Sequence, residues 1–139
     1  MQRAPTTSEL LNEIQIQQAL EQAWLDSQAA DPANRHEEGG WIYMDTSTGA
    51  ITIRRAPAGA RAALDLTTPV LVPGSVVVAT FHTHPNPAAE GWELGPSPGD
   101  EQSARILGVP CLIRAEDGIH TTGPDARRGG LAGGPAYPA

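Results

Sequence analysis

The run Val76-Val77-Val78-Ala79-Thr80-Phe81 constrains this chain most, because six consecutive residues with almost no polar atoms leave no face for water. A half-exposed strand alternates apolar and polar side chains, whereas an unbroken run rich in β-branched residues belongs to a strand covered on both faces. A chain of 139 residues that is 40% hydrophobic has material for one modest core of this kind, and therefore for one domain.

Other segments fall into place around that strand. Thr6 followed by Glu9 has capping-box spacing and predicts a helix with a stripe of Leu10, Leu11, Ile14, Leu20, Ala23 and Trp24, interrupted at Gln17 and Gln18. Asp31-Pro32 is expected to close it, since the residue before proline resists helical geometry. Trp41 to Met44 and Ile51 to Arg54, joined by the turn residues Asp45 to Gly49, predict a hairpin. Residues 56–69 carry Pro57, Gly59 and Pro69 and are ambiguous; one helical turn around Ala62 to Leu66 fits them. Residues 85–99 read as a long loop, Asp100 to Leu107 as a short helix, Val109 to Ala115 as a strand and Ile119 to Thr122 as a last short strand.

With 15 glycines and 13 prolines, loops must take up much of the chain. The expected organisation is an N-terminal extension over 1–8, a single domain over 9–122, and a Gly/Pro-rich tail over 123–139 that has almost nothing to bury and is expected to be disordered.

A formal charge of −7 and a pI near 4.9 argue against nucleic acid or an anionic membrane as partner. The single cysteine, Cys111, excludes an intrachain disulfide and a multi-cysteine metal cage, and reads as a small buried hydrophobe. Neither a signal peptide nor a membrane span is visible, so the cytoplasm is the expected location. All nine basic residues are arginine, a bias that fits either compositional drift or avoidance of an acceptor amine.

The chemistry concentrates at Phe81-His82-Thr83-His84-Pro85, where the buried strand ends. Side chains two apart on a strand share a face, so His82 and His84 project together and can grip one zinc ion. A catalytic zinc takes three protein ligands and keeps one position open, so a third ligand must come from elsewhere. Ser97-Pro98-Gly99-Asp100 offers Asp100, although Ser at the N-cap, Pro at N1 and an acid at N3 also spell an ordinary helix start. The two readings compete for the Asp100 carboxylate while agreeing on the backbone. Glu37, in His36-Glu37-Glu38-Gly39-Gly40, could serve as the base a zinc-bound water needs. Strand alternation would send Glu37 and Glu38 opposite ways, with Glu38 the better candidate for solvated surface. His36 and His120 read as surface or satisfied histidines, and Arg54, Arg55 and Arg61 as solvated charge.

Taken in order, Glu37-x-x-Gly40, His82-Thr83-His84-Pro85 and Ser97-x-x-Asp100 resemble the signature of the JAMM (JAB/MPN) metallopeptidases, and the likeness covers roughly residues 10–122. The stretch Glu37 to Tyr43 is similar to compact bacterial members. The resemblance implies an α/β fold with a single MPN/JAB-like domain, a curved mixed β-sheet flanked by helices. It implies one Zn2+ with a catalytic water, held by His82, His84 and Asp100, with Glu37 as acid/base and Ser97 helping to hold the oxyanion. As substrate it implies a ubiquitin-like protein or its conjugates, cut after the C-terminal glycine in precursor processing or deconjugation, within a conjugation operon of antiviral defence. Sulfur-carrier metabolism and toxin domains are further settings of such bacterial peptidases. The alternatives outside this reading are a catalytically silent MPN-like scaffold and a DNA-repair-associated JAB domain, the latter disfavoured by the acidic charge. Two departures stand out: the loop from Pro85 to Ser97 is longer than the family spacing, carrying Glu90, Trp92 and Glu93, and the chain lacks room for the insertions that set linkage specificity in larger deubiquitinases.

Overall fold

Thr6 starts the first helix as its spacing to Glu9 predicts. In the computed structural model, which describes residues 2–128, Thr6 Oγ1 accepts the Glu9 amide and the Glu9 carboxylate accepts the Thr6 amide. Such a cap satisfies two orphan donors of the helix start and contributes about 1 kcal/mol. The expected single helix is in fact two: α1 (Thr7–Leu11) stops at Asn12 and α2 (Ile14–Asp26) begins afresh. Gln17 Nε2 donates to the Leu11 carbonyl at 2.8 Å, so a glutamine that interrupts the stripe ties the two helices across their break. Asp31-Pro32 does not close the element. α2 already ends at Ser27, a buried residue whose hydroxyl bonds the Ala23 carbonyl at 2.8 Å and Thr83 Oγ1 at 2.6 Å, and Gln28 follows with φ 52°. A serine bonded to its own helix and to a neighbour competes with helix continuation.

Five strands form one mixed sheet in the order β2-β1-β3-β4-β5: β1 (Gly39–Asp45), β2 (Ile51–Arg55), β3 (Ser75–His84), β4 (Cys111–Ala115) and β5 (Gly118–Thr122). The predicted hairpin is β1 with β2. β3 runs antiparallel to β1 and parallel to β4, which lies antiparallel to β5. The apolar run is thus the central strand, and it continues through both histidines to Pro85. Chain reversal between the parallel strands needs a crossover, here the long loop and α3 (Pro98–Leu107).

α1 and α2 cover one face, where Leu10, Ile16, Leu20 and Ala23 pack on Ile42, Met44, Val78, Ala79, Phe81 and Leu112. Trp41 and Tyr43 face the other way, against Ala56 and Leu66. No helical turn forms around Ala62 to Leu66; the segment is an irregular wall with one bridge, Ala60 to Ala63. It is held by Trp41 Nε1 donating to the Leu66 carbonyl at 2.8 Å and Tyr43 Oη to the Val70 carbonyl at 2.7 Å. α3 places Ala104 against Cys111 and Ile113.

Strand β3 carries a bulge. Ile42 pairs with Ala79 but Tyr43 with Val77, which leaves Val78 as the extra residue. Val78 and Ala79 consequently both face α2, and alternation restarts with Phe81 on that face. His82 and His84 therefore project to the opposite face, while Thr83 meets Ser27 beneath α2.

Ala4, within the segment expected as an extension, is buried in the α1–α2 core. Residues 123–128, expected to belong to a disordered tail, lie along the body: Ala126 is buried, the Asp125 carbonyl accepts the Thr7 amide at 2.7 Å, and the Gly108 carbonyl accepts the Arg128 amide at 2.8 Å. The rest of that expected tail lies outside the described residues. No helix among the described residues is long and apolar enough to cross a membrane.

Candidate metal centre

The end of β3 delivers two imidazoles to one point. His82 Nε2 and His84 Nε2 lie 3.2 Å apart, with His82 buried and His84 partly so. The start of α3 brings a carboxylate to the same place: Asp100 Oδ1 is 3.1 Å from His82 Nε2, and Asp100 Oδ2 is 3.0 Å from His84 Nε2. Both readings of Ser97-Pro98-Gly99-Asp100 hold together. Ser97 Oγ accepts the Asp100 amide at 3.1 Å and Asp100 Oδ2 accepts the Ser97 amide at 2.9 Å, a complete capping box with Pro98 in the first turn. The cap therefore fixes the rotamer of Asp100 that the imidazoles use.

Each imidazole is held from behind. His84 Nδ1 lies 3.3 Å from the Leu94 carbonyl, which can only accept, and that contact orients the ring with Nε2 toward the site. His82 Nδ1 lies 3.6 Å from Cys111 Sγ. Burial works against the charged form of His82, but Cys111 and Asp100 beside it prevail and hold its pKa well above the ordinary 6.5.

Glu37 completes the cluster. The ligand atoms of Glu37, His82 and His84 all lie within 4.8 Å of one another, an arrangement that could hold a metal ion. Its backbone is pinned between segments, its amide donating to the Ala60 carbonyl and its carbonyl accepting from Gly59, both at 2.8 Å. Burial pushes its carboxyl up to about 7, partly offset by the histidines. Asp100 goes the other way: its own burial would raise its pKa, but hydrogen bonds from His82 and His84, with the charge of His82, hold it far below the usual carboxylate range. Two neighbouring carboxylates driven apart in this manner suit different tasks, one a permanent anion and the other a proton carrier near neutral pH.

The donor set fits a small divalent cation. The two imidazole nitrogens, 3.2 Å apart, are close to the edge of about 3.3 Å that tetrahedral ligands at zinc distances require, and each meets a different oxygen of Asp100, at 3.1 and 3.0 Å. Two imidazole nitrogens and a carboxylate are donor types that a divalent cation takes, displacing the protons that the imidazoles hold in its absence.

Glu38 is not solvated surface, as the sequence suggested. It is 8% exposed, with its oxygens 2.7 Å from Arg55 Nη2 and 2.5 Å from His36 Nε2. Arg55 also pairs with Asp26, so it belongs to a network rather than to solvent. Alternation does turn the two acids apart: Glu37 joins the histidines and Glu38 the ion pairs. His36 and His120 are satisfied, His120 Nε2 lying 2.8 Å from Asp117.

Sequence reasoning missed three contributors. Cys111 is more than a buried hydrophobe, because it backs His82; only the β3–β4 register, pairing Thr80 with Cys111 and His82 with Ile113, reveals it. The Leu94 carbonyl is a backbone group with no sequence signal. The wall at Ala62 to Asp65 forms one side of a cleft of about 580 Å³ that also takes in Glu37, His84, Ser97 and Asp100. No protein-family model matches this chain, and neither does any curated protein or solved structure.

Proposed function

We propose that this protein is a zinc-dependent peptidase or isopeptidase of the JAMM (JAB/MPN) type, with His82, His84 and Asp100 as metal ligands, Glu37 as acid/base and Ser97 as oxyanion donor. The observation that carries the reading is the convergence of the two Nε2 atoms and the Asp100 carboxylate, 3.0 to 3.2 Å apart, beside a buried Glu37 at the wall of a cleft. A zinc ion bound there would acidify a water and polarise the substrate carbonyl. Glu37, with a pKa near 7, is suited to accept a proton from the nucleophile and pass it to the leaving nitrogen, since such transfer is best near the working pH. The Ser97 hydroxyl spends a lone pair on the Asp100 amide and keeps its proton to donate. A donor so placed toward a developing oxyanion is worth roughly 3 to 4 kcal/mol.

The substrate in this reading is a ubiquitin-like protein with a slender C-terminal tail, freed from a precursor or a conjugate, and the setting is the cytoplasm. The test begins with metal content. About one zinc per chain in wild type, and little in His82→Ala and Asp100→Ala, is the expected result, followed by hydrolysis of a ubiquitin-like fusion that Glu37→Gln abolishes. Wild type that stays free of zinc after reconstitution would turn the reading toward a scaffold.

A further inference from the structure

Away from the His84–Asp100 pair, the cleft beside the metal centre is lined by two carboxylates that no cationic side chain meets. Asp65 and Glu93 both line it, and no arginine does. The arginines that form ion pairs are engaged elsewhere: Arg3 with Glu9, Arg35 with Glu90, Arg55 with Asp26 and Glu38, Arg114 with Glu21. Among the described residues neither Asp65 nor Glu93 makes an ion pair, and Asp65 meets only Thr67, whose amide and hydroxyl both bond Oδ1.

Two further observations say what kind of group the cleft lacks. Trp92, next to Glu93 in the long loop, lines the cleft and is 41% exposed. An accessible indole beside a carboxylate suits a cation, which takes the ring face and the countercharge together. Asn86 lines the same cleft while only 5% exposed; its Nδ2 donates to the Arg61 carbonyl at 2.8 Å, and its Oδ1 has no hydrogen-bond partner. A buried acceptor left unpaired calls for a donor. The loop is held in place, with Glu90 paired to the buried Arg35 at 2.9 Å and the Ala88 amide donating to Glu116 at 2.9 Å.

We infer that the cleft receives a substrate segment carrying a cationic side chain, arginine or lysine, close to the bond that is cut, with Trp92 giving the ring face and Glu93 and Asp65 the countercharge. The inference rests on the hydrolase reading for the place of that bond, whereas the charge preference stands on the cleft alone.

The test is calorimetric titration of the full chain, with and without one equivalent of zinc, using short acetylated peptide amides that differ in one residue: arginine against citrulline, lysine against acetyl-lysine. The cationic peptides are expected to bind about tenfold more tightly at low ionic strength, a preference that salt erodes. Glu93→Gln should cut it to about threefold, and Glu93→Gln with Asp65→Asn should abolish it. Trp92→Ala should weaken the arginine peptide more than Trp92→Phe. These are exposed positions, so the variants keep their fold. Equal affinity for arginine and citrulline in wild type, no binding of either, or a preference untouched by both carboxylate changes overturns the inference. Protein that takes no zinc yet prefers arginine would sink the peptidase reading and leave only the cleft's charge preference standing. Zinc-loaded protein that cleaves a fusion but ignores the charge would sink this one alone.

Discussion

The Cys111 sulfur sits 3.6 Å from Nδ1 of His82, across the ring from the nitrogen that meets Asp100. A ligand imidazole is oriented by what its other nitrogen touches, and losing such a partner typically lowers metal affinity roughly 10- to 100-fold. Cys111→Ala should therefore weaken zinc binding by about tenfold or more while the protein stays folded, as read by competition with a chromogenic chelator. Unchanged affinity would reduce the sulfur to a space-filler.

Asp100 and Ser97 separate by substitution because each has one task the other lacks. Asp100→Asn keeps a side-chain acceptor for the helix cap but removes the charge between the imidazoles, so zinc should be lost, and with it the stability that the Asp100–histidine pairing supplies to the metal-free protein. Ser97→Ala removes the cap hydroxyl and should destabilise the protein by about 1 kcal/mol, keep zinc, and slow turnover on the order of 100-fold. Metal analysis beside urea unfolding decides; equal zinc loss in both variants would mean that the cap, and not the charge, builds the site.

The pH dependence of the metal-free protein follows from three groups. Asp100 is depressed from 3.8, so its contribution is complete above that pH and is lost only as pH falls toward its much lower folded value. Glu37 is raised from 4.5 to about 7, so its contribution is present below 4.5 and disappears as pH climbs to about 7. His82 is raised above 6.5, so its contribution fades only at higher pH still. Metal-free protein should thus lose melting temperature between about pH 5 and 8. Zinc needs its ligands deprotonated, so the stabilisation it adds should grow over the same interval. A zinc-induced shift that shrinks with rising pH would contradict the ligand set.

Gly39 has no room for a side chain. A Cβ there would collide with the Phe81 carbonyl and come within 2.8 Å of the His82 Cα and Cβ. Gly39→Ala should destabilise the fold by about 1 to 3 kcal/mol, the usual cost of overpacking, and displace His82 enough to weaken zinc binding. Chemical unfolding and metal titration of this one variant check both effects.

Much of this was legible beforehand because it depends on local rules. The hairpin, the shared face of His82 and His84, the Thr6–Glu9 cap and the opposite aim of Glu37 and Glu38 all follow from short-range periodicity and spacing. What escaped depends on tertiary contacts. The break at Asn12 and the early stop at Ser27 come from side chains reaching outside the helix, Gln17 to Leu11 and Ser27 to Thr83. Glu38 was misplaced because its partner Arg55 lies on the next strand. Cys111 could not be assigned to His82 until the parallel register was known, and the cleft wall at Ala62 to Asp65 has no period to read.

The extra residue at Val78 divides β3 into two stretches that answer to different masters. Upstream of it Val76 takes the α2 side and Val77 the Trp41 side; downstream Phe81 takes the α2 side and the two histidines face the cleft. Adding or deleting a residue upstream can be absorbed where the strand is already out of step with β1, leaving both histidines facing Asp100. The same change between Ala79 and His82 has no such slack and would turn both rings toward α2. The site is thereby insulated from drift in the length of half its own strand, and its tolerance of insertions stops at a definable peptide bond.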